Sequence, residues 1–236
     1  MHSTDAFLGG KIKLKQSVNG LRATSDSVLV AAAVQAKAND SILDVGAGNG
    51  VIGLCVAARV PVKITALEIQ QDLVSLIQEN ALLNDKKITV IRNDIFQTTD
   101  PLKGKLFQHV VTNPPFYDTT GKARKNQEQA IAYTAGFDLK KWLEYCLKHV
   151  RAKGSFTLIH RPEYLTKILS VISKKLGNIQ VIPILSKTGT NAKLVIIRGT
   201  LGSAKPLTIC SPIIMHTHTE KPSQIANSIL RAGKSI

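Results

Sequence analysis

The chain of 236 residues is poor in cysteine and contains no long apolar run. Its three cysteines, Cys55, Cys146 and Cys210, are odd in number and widely spaced, which argues against a disulfide framework or a paired metal motif. His216 and His218 have no third candidate ligand nearby, so we expect no metal site. The sequence shows neither the roughly 18 apolar residues of a membrane helix nor an apolar N-terminal signal region. These absences predict a cytoplasmic protein with reduced cysteines and no membrane contact.

Acidic residues are also scarce. Sixteen aspartates and glutamates stand against 31 lysines and arginines, which gives a formal net charge of +15. A strong excess of base on a globular chain favours a polyanionic partner such as nucleic acid, although the same charge also serves solubility.

From Ser41 onwards, short apolar runs alternate with helical patterns, which is typical of a parallel sheet covered on both faces. Two further apolar runs, 180–185 and 192–198, flank a turn-rich segment and predict a hairpin at the sheet edge. The predicted fold class is therefore α/β, with a doubly wound, mostly parallel seven-stranded sheet and an antiparallel edge hairpin. The other expected strands lie at about 41–45, 62–68, 87–92, 108–112 and 154–160. The expected helices lie at about 50–59, 70–83, 138–149 and 162–175.

The flanking segments are harder to interpret. The alternating stretch 11–15 predicts a strand with three lysines on one face, and Ser25 is a suitable N-cap for a helix that runs to about Ala36. A short strand near 207–215 and a small helix should follow the sheet. We divide the chain into an N-terminal extension (1–40), a core (41–200) and a C-terminal extension (201–236).

The segment LDVGAGNGVIG, residues 43–53, is rich in glycine at the point where a strand passes into a helix. One interpretation is the dinucleotide pattern that begins at Gly48, with Glu68 about 20 residues further on. The other places Asp44 before Gly46, Gly48 and Gly50, and suits S-adenosylmethionine. A carboxylate at Asp44 favours the second interpretation, because it attracts an ammonium or sulfonium and repels a pyrophosphate.

Three further side chains follow neighbouring strands and are candidates for the same pocket. Glu68 can accept hydrogen bonds from both ribose hydroxyls, Asp94 can accept one from the adenine amine, and Ile95 can pack on the adenine ring. Ligands of open α/β sheets bind at the carboxyl ends of the strands, where these residues are expected to meet.

The stretch VVTNPPFYD, residues 110–118, joins a β-branched strand to two prolines. Because proline fixes φ and restricts the residue before it, Asn113, Pro114 and Pro115 should form a stiff, extended corner. The polar segment 117–129 that follows should be a loop, and it contains Lys122, Arg124 and Lys125.

Together the glycine loop and the proline corner resemble the class I S-adenosylmethionine-dependent methyltransferases, whose fold is Rossmann-like. The motif that carries the resemblance is Asn113-Pro114-Pro115-Phe116 after the fourth strand of the alternating region. Within that group the chain is most similar to the N6-adenine methyltransferases that act on valine tRNA. That closer similarity lies in the segments 20–26, 132–134, 160–163 and 192–199.

The resemblance implies roles for residues on both sides of the corner. The Asn113 side-chain oxygen and the Pro114 carbonyl would accept the hydrogens of the target amine, and Phe116 would stack on the flipped base. Asn113, Thr24 and Asp26 would also lie against S-adenosylmethionine, which leaves as S-adenosylhomocysteine. The residues expected to contact RNA are Pro115, Tyr117, Lys122, Arg124 and Lys125.

The sequence thus predicts an enzyme, an N-methyltransferase that acts on the N6 amine of adenine in RNA, with tRNA favoured over ribosomal RNA. Four alternatives stay open: an N2-guanine methyltransferase acting on ribosomal RNA, a glutamine N5-methyltransferase acting on protein, an inactive RNA-binding relic, and a dehydrogenase. The dehydrogenase ranks last because it leaves the proline corner without a purpose.

Overall fold

A largely parallel β-sheet forms the centre of the computed structural model, which describes residues 2–18, 22–115, 137–219 and 221–236. In chain order the strands of those ranges are β1 (His2–Phe7), β2 (Ile12–Ser17), β3 (Ser41–Val45), β4 (Lys63–Glu68), β5 (Ile88–Arg92), β6 (Phe107–Thr112), β7 (Val150–His160), β8 (Leu176–Leu185), β9 (Ala192–Leu201), β10 (Thr208–Ile209) and β11 (Ile213–Ile214). The α-helices are α1 (Ser25–Ala33), α2 (Val51–Ala57), α3 (Gln71–Leu83), α4 (Leu139–Lys148), α5 (Leu165–Ile172) and α6 (Gln224–Leu230).

The strand order of the main sheet is β10-β8-β9-β7-β6-β3-β4-β5, and β11 also pairs with β8. Strands β3 to β7 are parallel, whereas β9 runs antiparallel to both β7 and β8. This arrangement confirms the doubly wound sheet with its antiparallel hairpin. The two-residue strands β10 and β11 extend the seven main strands to nine. They replace the single strand expected near 207–215, because Pro212 between them has no N–H to continue a ladder.

Helices cover both faces of the sheet, which explains why its strands are almost continuously apolar. Val111 of β6 packs in a core cluster with α1 and α2, whereas its neighbour Val110 packs in a second cluster with α4 and α5. Ile213 and Ile229 of the C-terminal segment belong to the first cluster. Among the described residues, no helix is both long enough and apolar enough to cross a bilayer.

The strand expected at 11–15 is confirmed as β2, which is the second arm of an antiparallel hairpin. Its partner β1 was not predicted, because the sequence HSTDAF is polar and has no apolar alternation. The expected bounds of the first helix need correction. Helix α1 begins at Ser25 and ends at Ala33, so Thr24 occupies the cap position, without a side-chain capping bond. The expected apolar face of β2 is confirmed by the complete burial of Ile12 and Leu14.

The side chains of Asn80 on α3 and of Asn84 at the C-cap of that helix bind the free edge of β2. The Asn84 amide accepts a hydrogen bond from the Lys13 N–H at 2.8 Å and donates one to the Lys13 carbonyl at 2.6 Å. The Asn80 amide makes the same pair of bonds with Lys15, at 2.7 and 3.0 Å. Because residues i and i+4 of a helix lie on one face, the two amides match alternate residues of the strand and fix the hairpin to α3.

Candidate active site

The loops that follow β3, β4, β5 and β6 meet at the carboxyl edge of the sheet. The N–H groups of Gly46 and Ala47 both donate to the Leu67 carbonyl, at 2.9 and 3.0 Å, and the Gly48 N–H donates to the Glu68 carboxylate at 2.9 Å. The Asn93 N–H donates to the Glu68 carbonyl at 3.1 Å. The predicted glycine loop and the predicted acid of β4 are therefore joined directly, as expected for parallel strands.

The glycine loop needs backbone conformations that other residues seldom adopt. Gly46, Gly48 and Gly50 have φ values of 70°, 59° and 85°. A Cβ on Gly46 would lie 2.8 and 2.9 Å from Cη2 and Cζ2 of Trp142, closer than van der Waals contact permits. Both the positive φ and the close approach of the indole ring therefore require glycine at this position.

Glu68 is buried and held by backbone donors. Its Oε2 accepts from Gly48, and its Oε1 accepts from the N–H groups of Ile69 and Gln70, each at 2.9 Å. Burial raises the pKa of this carboxyl group, while the three hydrogen bonds oppose the rise. The donors fix the carboxylate at the end of β4, and its contact with ribose hydroxyls stays a prediction.

Asp44 is the most deeply buried acid of the site, at 1% exposure. Neither carboxylate oxygen has a hydrogen-bond partner among the described residues. Burial raises its pKa to about 7, and the charge of Glu68 adds to the rise. The nearby Gly53 N–H lowers the pKa of Asp44 in part, although it does not meet the geometry of a hydrogen bond to the carboxylate. A buried carboxylate without a donor is costly, so this position suits a bound cationic group.

Asn113 follows β6 and lies beside the first turn of α1. Its Nδ2 donates to Ser27 Oγ at 3.3 Å, whereas its Oδ1 is buried and has no partner in the described part of the chain. Pro114 is buried and Pro115 is partly buried, which holds the corner in place. The amide oxygen of Asn113 is therefore a fixed, unused acceptor at the carboxyl edge.

The residues expected to hold adenine lie at the end of β5. Asp94 is partly buried, and one of its oxygens accepts from the Phe96 N–H at 2.9 Å. Ile95 packs against the second core cluster, next to an aromatic group in which the Phe137 and Trp142 ring centroids are 5.4 Å apart. Both residues follow β5 at the carboxyl edge of the sheet, and their contact with adenine stays a prediction.

Thr24 and Asp26 flank the first residue of α1 and are exposed and partly buried, respectively. Asp26 accepts only a 3.2 Å hydrogen bond from Ser25 Oγ among the described residues. Both residues are close in sequence to Ser27, which accepts the hydrogen bond from Asn113. Their predicted place beside the methionine end is compatible with this geometry.

Gln16 of β2 was not predicted, although it connects three parts of the site. Its Oε1 accepts from the Ala23 N–H at 2.7 Å and from Asn49 Nδ2 at 3.0 Å, and its Nε2 donates to Asp5 at 2.5 Å. The side chain is 2% exposed. The only sequence signal is a glutamine at a position that alternation assigns to the buried face of the strand.

Trp142 and Thr112 were also missed. The Trp142 indole N–H donates to Thr112 Oγ1 at 3.0 Å, and that hydroxyl donates to the Val45 carbonyl at 2.8 Å. The indole thus supports the end of β3 before the glycine loop and the end of β6 before Asn113.

Five predicted site residues lie outside the described part of the chain. They are Phe116, Tyr117, Lys122, Arg124 and Lys125. Within the described ranges, no group of three or more His, Cys, Asp or Glu side chains is placed to bind a metal ion.

Comparison with known proteins gives a consistent result. The model of the methyltransferase small domain family matches residues 22–182. Curated relatives include the tRNA1(Val) (adenine(37)-N6)-methyltransferases of Shewanella amazonensis, 28% identical over 142 residues, and Vibrio parahaemolyticus, 26% identical over 159 residues. The matches cover 59% and 66% of this chain and 60% and 65% of those relatives. The matched region thus spans less than two thirds of the relatives' own length.

Solved structures share the fold at lower identity. A predicted O-methyltransferase from Agrobacterium tumefaciens has a TM-score of 0.74 at 22% identity and covers 89% of this chain and 98% of its own. A 16S rRNA N2 guanosine methyltransferase from T. thermophilus, in complex with AdoMet and guanosine, has a TM-score of 0.62 at 17% identity. That match covers 85% of this chain and 50% of the other. Both likenesses confirm the α/β architecture.

Proposed function

Because the chain belongs to the methyltransferase small domain family, we propose that it methylates the exocyclic N6 amine of adenine in RNA, with tRNA as the substrate class. The observation that carries the proposal is Asn113 Oδ1, a buried acceptor that lacks a partner among the described residues and follows β6. The names of the curated relatives support adenine N6 in tRNA over the alternatives. A dehydrogenase leaves this acceptor unexplained.

The described residues fit S-adenosylmethionine. Because Gly46, Gly48 and Gly50 have no side chains, a ligand can approach the backbone closely at the end of the strand. The buried carboxylate of Asp44 has no hydrogen-bond donor among the described residues, so it can bind a cationic group. Glu68 would hold the ribose, Asp94 and Ile95 the adenine, and Thr24 and Asp26 the methionine end. When bound, this molecule supplies the methyl group from its sulfonium and becomes S-adenosylhomocysteine.

The corner acts on the amine of the substrate. The lone pair of an exocyclic amine is delocalised into the ring, so the amine is a weak nucleophile until its nitrogen becomes tetrahedral. Asn113 Oδ1 and the Pro114 carbonyl would accept its two hydrogens in the geometry of that tetrahedral nitrogen, and would therefore bind the transition state better than the ground state. Ser27 and the prolines keep both acceptors in position. The alkylated nitrogen is acidic and loses its proton to water, so no strong base is required.

The direct test is a product analysis. The purified protein is incubated with labelled S-adenosylmethionine and either unmodified total RNA or cellular protein, and the digested products are identified by mass spectrometry. N6-methyladenosine in the tRNA fraction is expected. N2-methylguanosine or methylglutamine would refute the adenine assignment, and tight cofactor binding without any transfer would favour the inactive relic.

Variants of two residues separate the roles of corner and pocket. Asn113→Ala removes an acceptor that binds the transition state better than the ground state, so transfer should fall at least 100-fold while the Kd for S-adenosylmethionine, from isothermal titration, changes less than about threefold. Asn113→Asp keeps an acceptor oxygen and should retain part of the rate. Glu68→Ala should weaken cofactor binding first, and the opposite pattern in the two alanine variants would refute these roles.

A further inference from the structure

The excess of basic over acidic residues is concentrated in one part of the chain, because acidic residues are nearly absent there. Residues 164–236 contain eight lysines and two arginines, and Glu220 is their single acidic residue. Several cations of the preceding part have acidic partners, such as Lys15 with Glu79 at 2.6 Å and Lys148 with Asp100 at 3.0 Å. A chain with such an uneven distribution of charge often binds a polyanion through its basic part.

The topology brings part of this charge to the edge that holds the candidate active site. Strand β8 runs antiparallel to β9, which is antiparallel to β7, so the loop after β8 lies at the same edge as Asn113. Strand β11 is parallel to β8, and the turn of residues 215–219 follows it at that edge. The His216 N–H donates to the Ser186 carbonyl at 2.9 Å, which joins the turn to the loop.

Lys193 and Lys221 are the exposed lysines of this region. Lys193 is the second residue of β9, close to the loop, and the Lys221 carbonyl accepts from the Thr217 N–H at 2.8 Å. Neither ammonium group has an ion-pair partner among the described acids. The neighbouring Glu220 lies outside the described residues, and two histidines, His216 and His218, share the turn.

The two halves of the carboxyl edge are suited to different ligands. The candidate cofactor residues follow β3, β4 and β5, and the acceptor corner follows β6 in the middle of the sheet. A substrate therefore approaches from the half formed by β7, β9, β8 and β11. Four strand spacings separate β6 from β11, which places the turn about 19 Å from the corner. An RNA backbone that leads away from a base in the corner would cross this surface.

We propose that the loop 186–191, Lys193, the turn 215–219 and Lys221 form a docking surface for the phosphate backbone of the RNA substrate, in which Lys193 and Lys221 contact phosphates. The proposal rests on the proposed function, because it takes RNA as the substrate. Phosphate contacts of this kind hold the nucleic acid in register and contribute affinity that falls with salt.

The test compares two double variants of equal charge. Lys193→Gln with Lys221→Gln neutralises the docking surface, whereas Lys174→Gln with Lys205→Gln neutralises two exposed lysines at the opposite edge of the same strands. Binding to a fluorescein-labelled in vitro transcript of valine tRNA is followed by anisotropy between 50 and 200 mM salt. Thermal denaturation and the Kd for S-adenosylmethionine confirm that both variants are folded.

The first variant should raise the Kd for the transcript about tenfold and reduce the slope of log affinity against log salt by about 1.5 to 2. The control should change the Kd less than about twofold. Equal effects of the two variants, or no effect of the first, would refute the docking surface while the methylation product still supports the proposed function. A parent protein that neither binds nor methylates RNA would refute both.

Discussion

Lowering the pH should weaken cofactor binding through Asp44. Burial and the charge of Glu68 raise the pKa of Asp44 to about 7, and only the ionised carboxylate attracts the ammonium or sulfonium of S-adenosylmethionine. At pH 5.5 about 3% of the carboxyl groups of the free protein are ionised, compared with about half at pH 7.0. The Kd for S-adenosylmethionine should therefore be about 15-fold higher at pH 5.5 than at pH 7.0.

The same titration has the opposite effect on the free protein. The folded-state pKa of Asp44 lies above the unfolded value of 3.8, so its contribution to stability is complete below that value and is lost as the pH rises through about 7. Between pH 5.5 and 7.0 the free energy of unfolding should fall by about 1–2 kcal/mol from this group alone. Affinity and stability should thus change in opposite directions.

Isothermal titration at several pH values between 5.5 and 7.0 measures the affinity, and urea unfolding without ligand measures the stability. The upper limit avoids the titration of the ligand's own α-amino group, which ionises near pH 7.7–8.0 in peptides. Asp44→Asn is the control, since it should show weaker binding and no pH response of this size. A Kd that is constant over the range, or an equal response in Asp44→Asn, would show that the carboxylate does not face a cation.

Two further substitutions test the supports of the site. Gly46→Ala should destabilise the protein by more than the roughly 1 kcal/mol of its positive φ, because the new Cβ meets the Trp142 ring. Gly104→Ala, with φ at 78° and open space around it, is the matched control in thermal denaturation, and equal losses would contradict the steric argument. Gln16→Leu leaves the buried Asn49 amide and the partly buried Ala23 N–H without their acceptor, and should cost about 1–3 kcal/mol in urea unfolding for the buried donor and less for the other. The leucine variant should also bind S-adenosylmethionine more weakly. Gln16→Glu keeps an acceptor oxygen and should therefore recover part of the affinity. Unchanged affinity in the leucine variant would exclude a positioning role for Gln16.

Local patterns predicted the core of the fold. Strand β3 has the predicted bounds of 41–45, and helix α3 begins within one residue of its predicted start. A buried parallel strand is recognised as a short continuous apolar run, and an amphipathic helix by its period of 3.6 residues. The glycine loop and Glu68 were predicted together because parallel strands bring their carboxyl ends to one edge. The family resemblance is confirmed by the match to residues 22–182.

Contacts between distant residues were not predictable in the same way. Gln16 reaches Asn49 across 33 positions of the chain, and β1 acquires its strand conformation by pairing with β2 although its own residues are polar. The burial of Asp44 without a donor among the described residues depends on how the sheet and its helices pack. The division into 1–40, 41–200 and 201–236, the site roles and the cytoplasmic location stay predictions.

The side chains of Asn80 and Asn84 affect the local unfolding of the protein. Asn80 Nδ2 also donates to the Asn49 carbonyl at 3.0 Å, so one side chain joins the hairpin, the helix and the glycine loop. The hairpin therefore cannot detach without releasing that loop, and the three segments form one cooperative unit of local unfolding. The amide protons of Lys13 and Lys15, on what would otherwise be a frayed outer strand, should exchange with solvent as slowly as those of the helix. An edge whose donors and acceptors are already bonded is also closed to a strand of another chain.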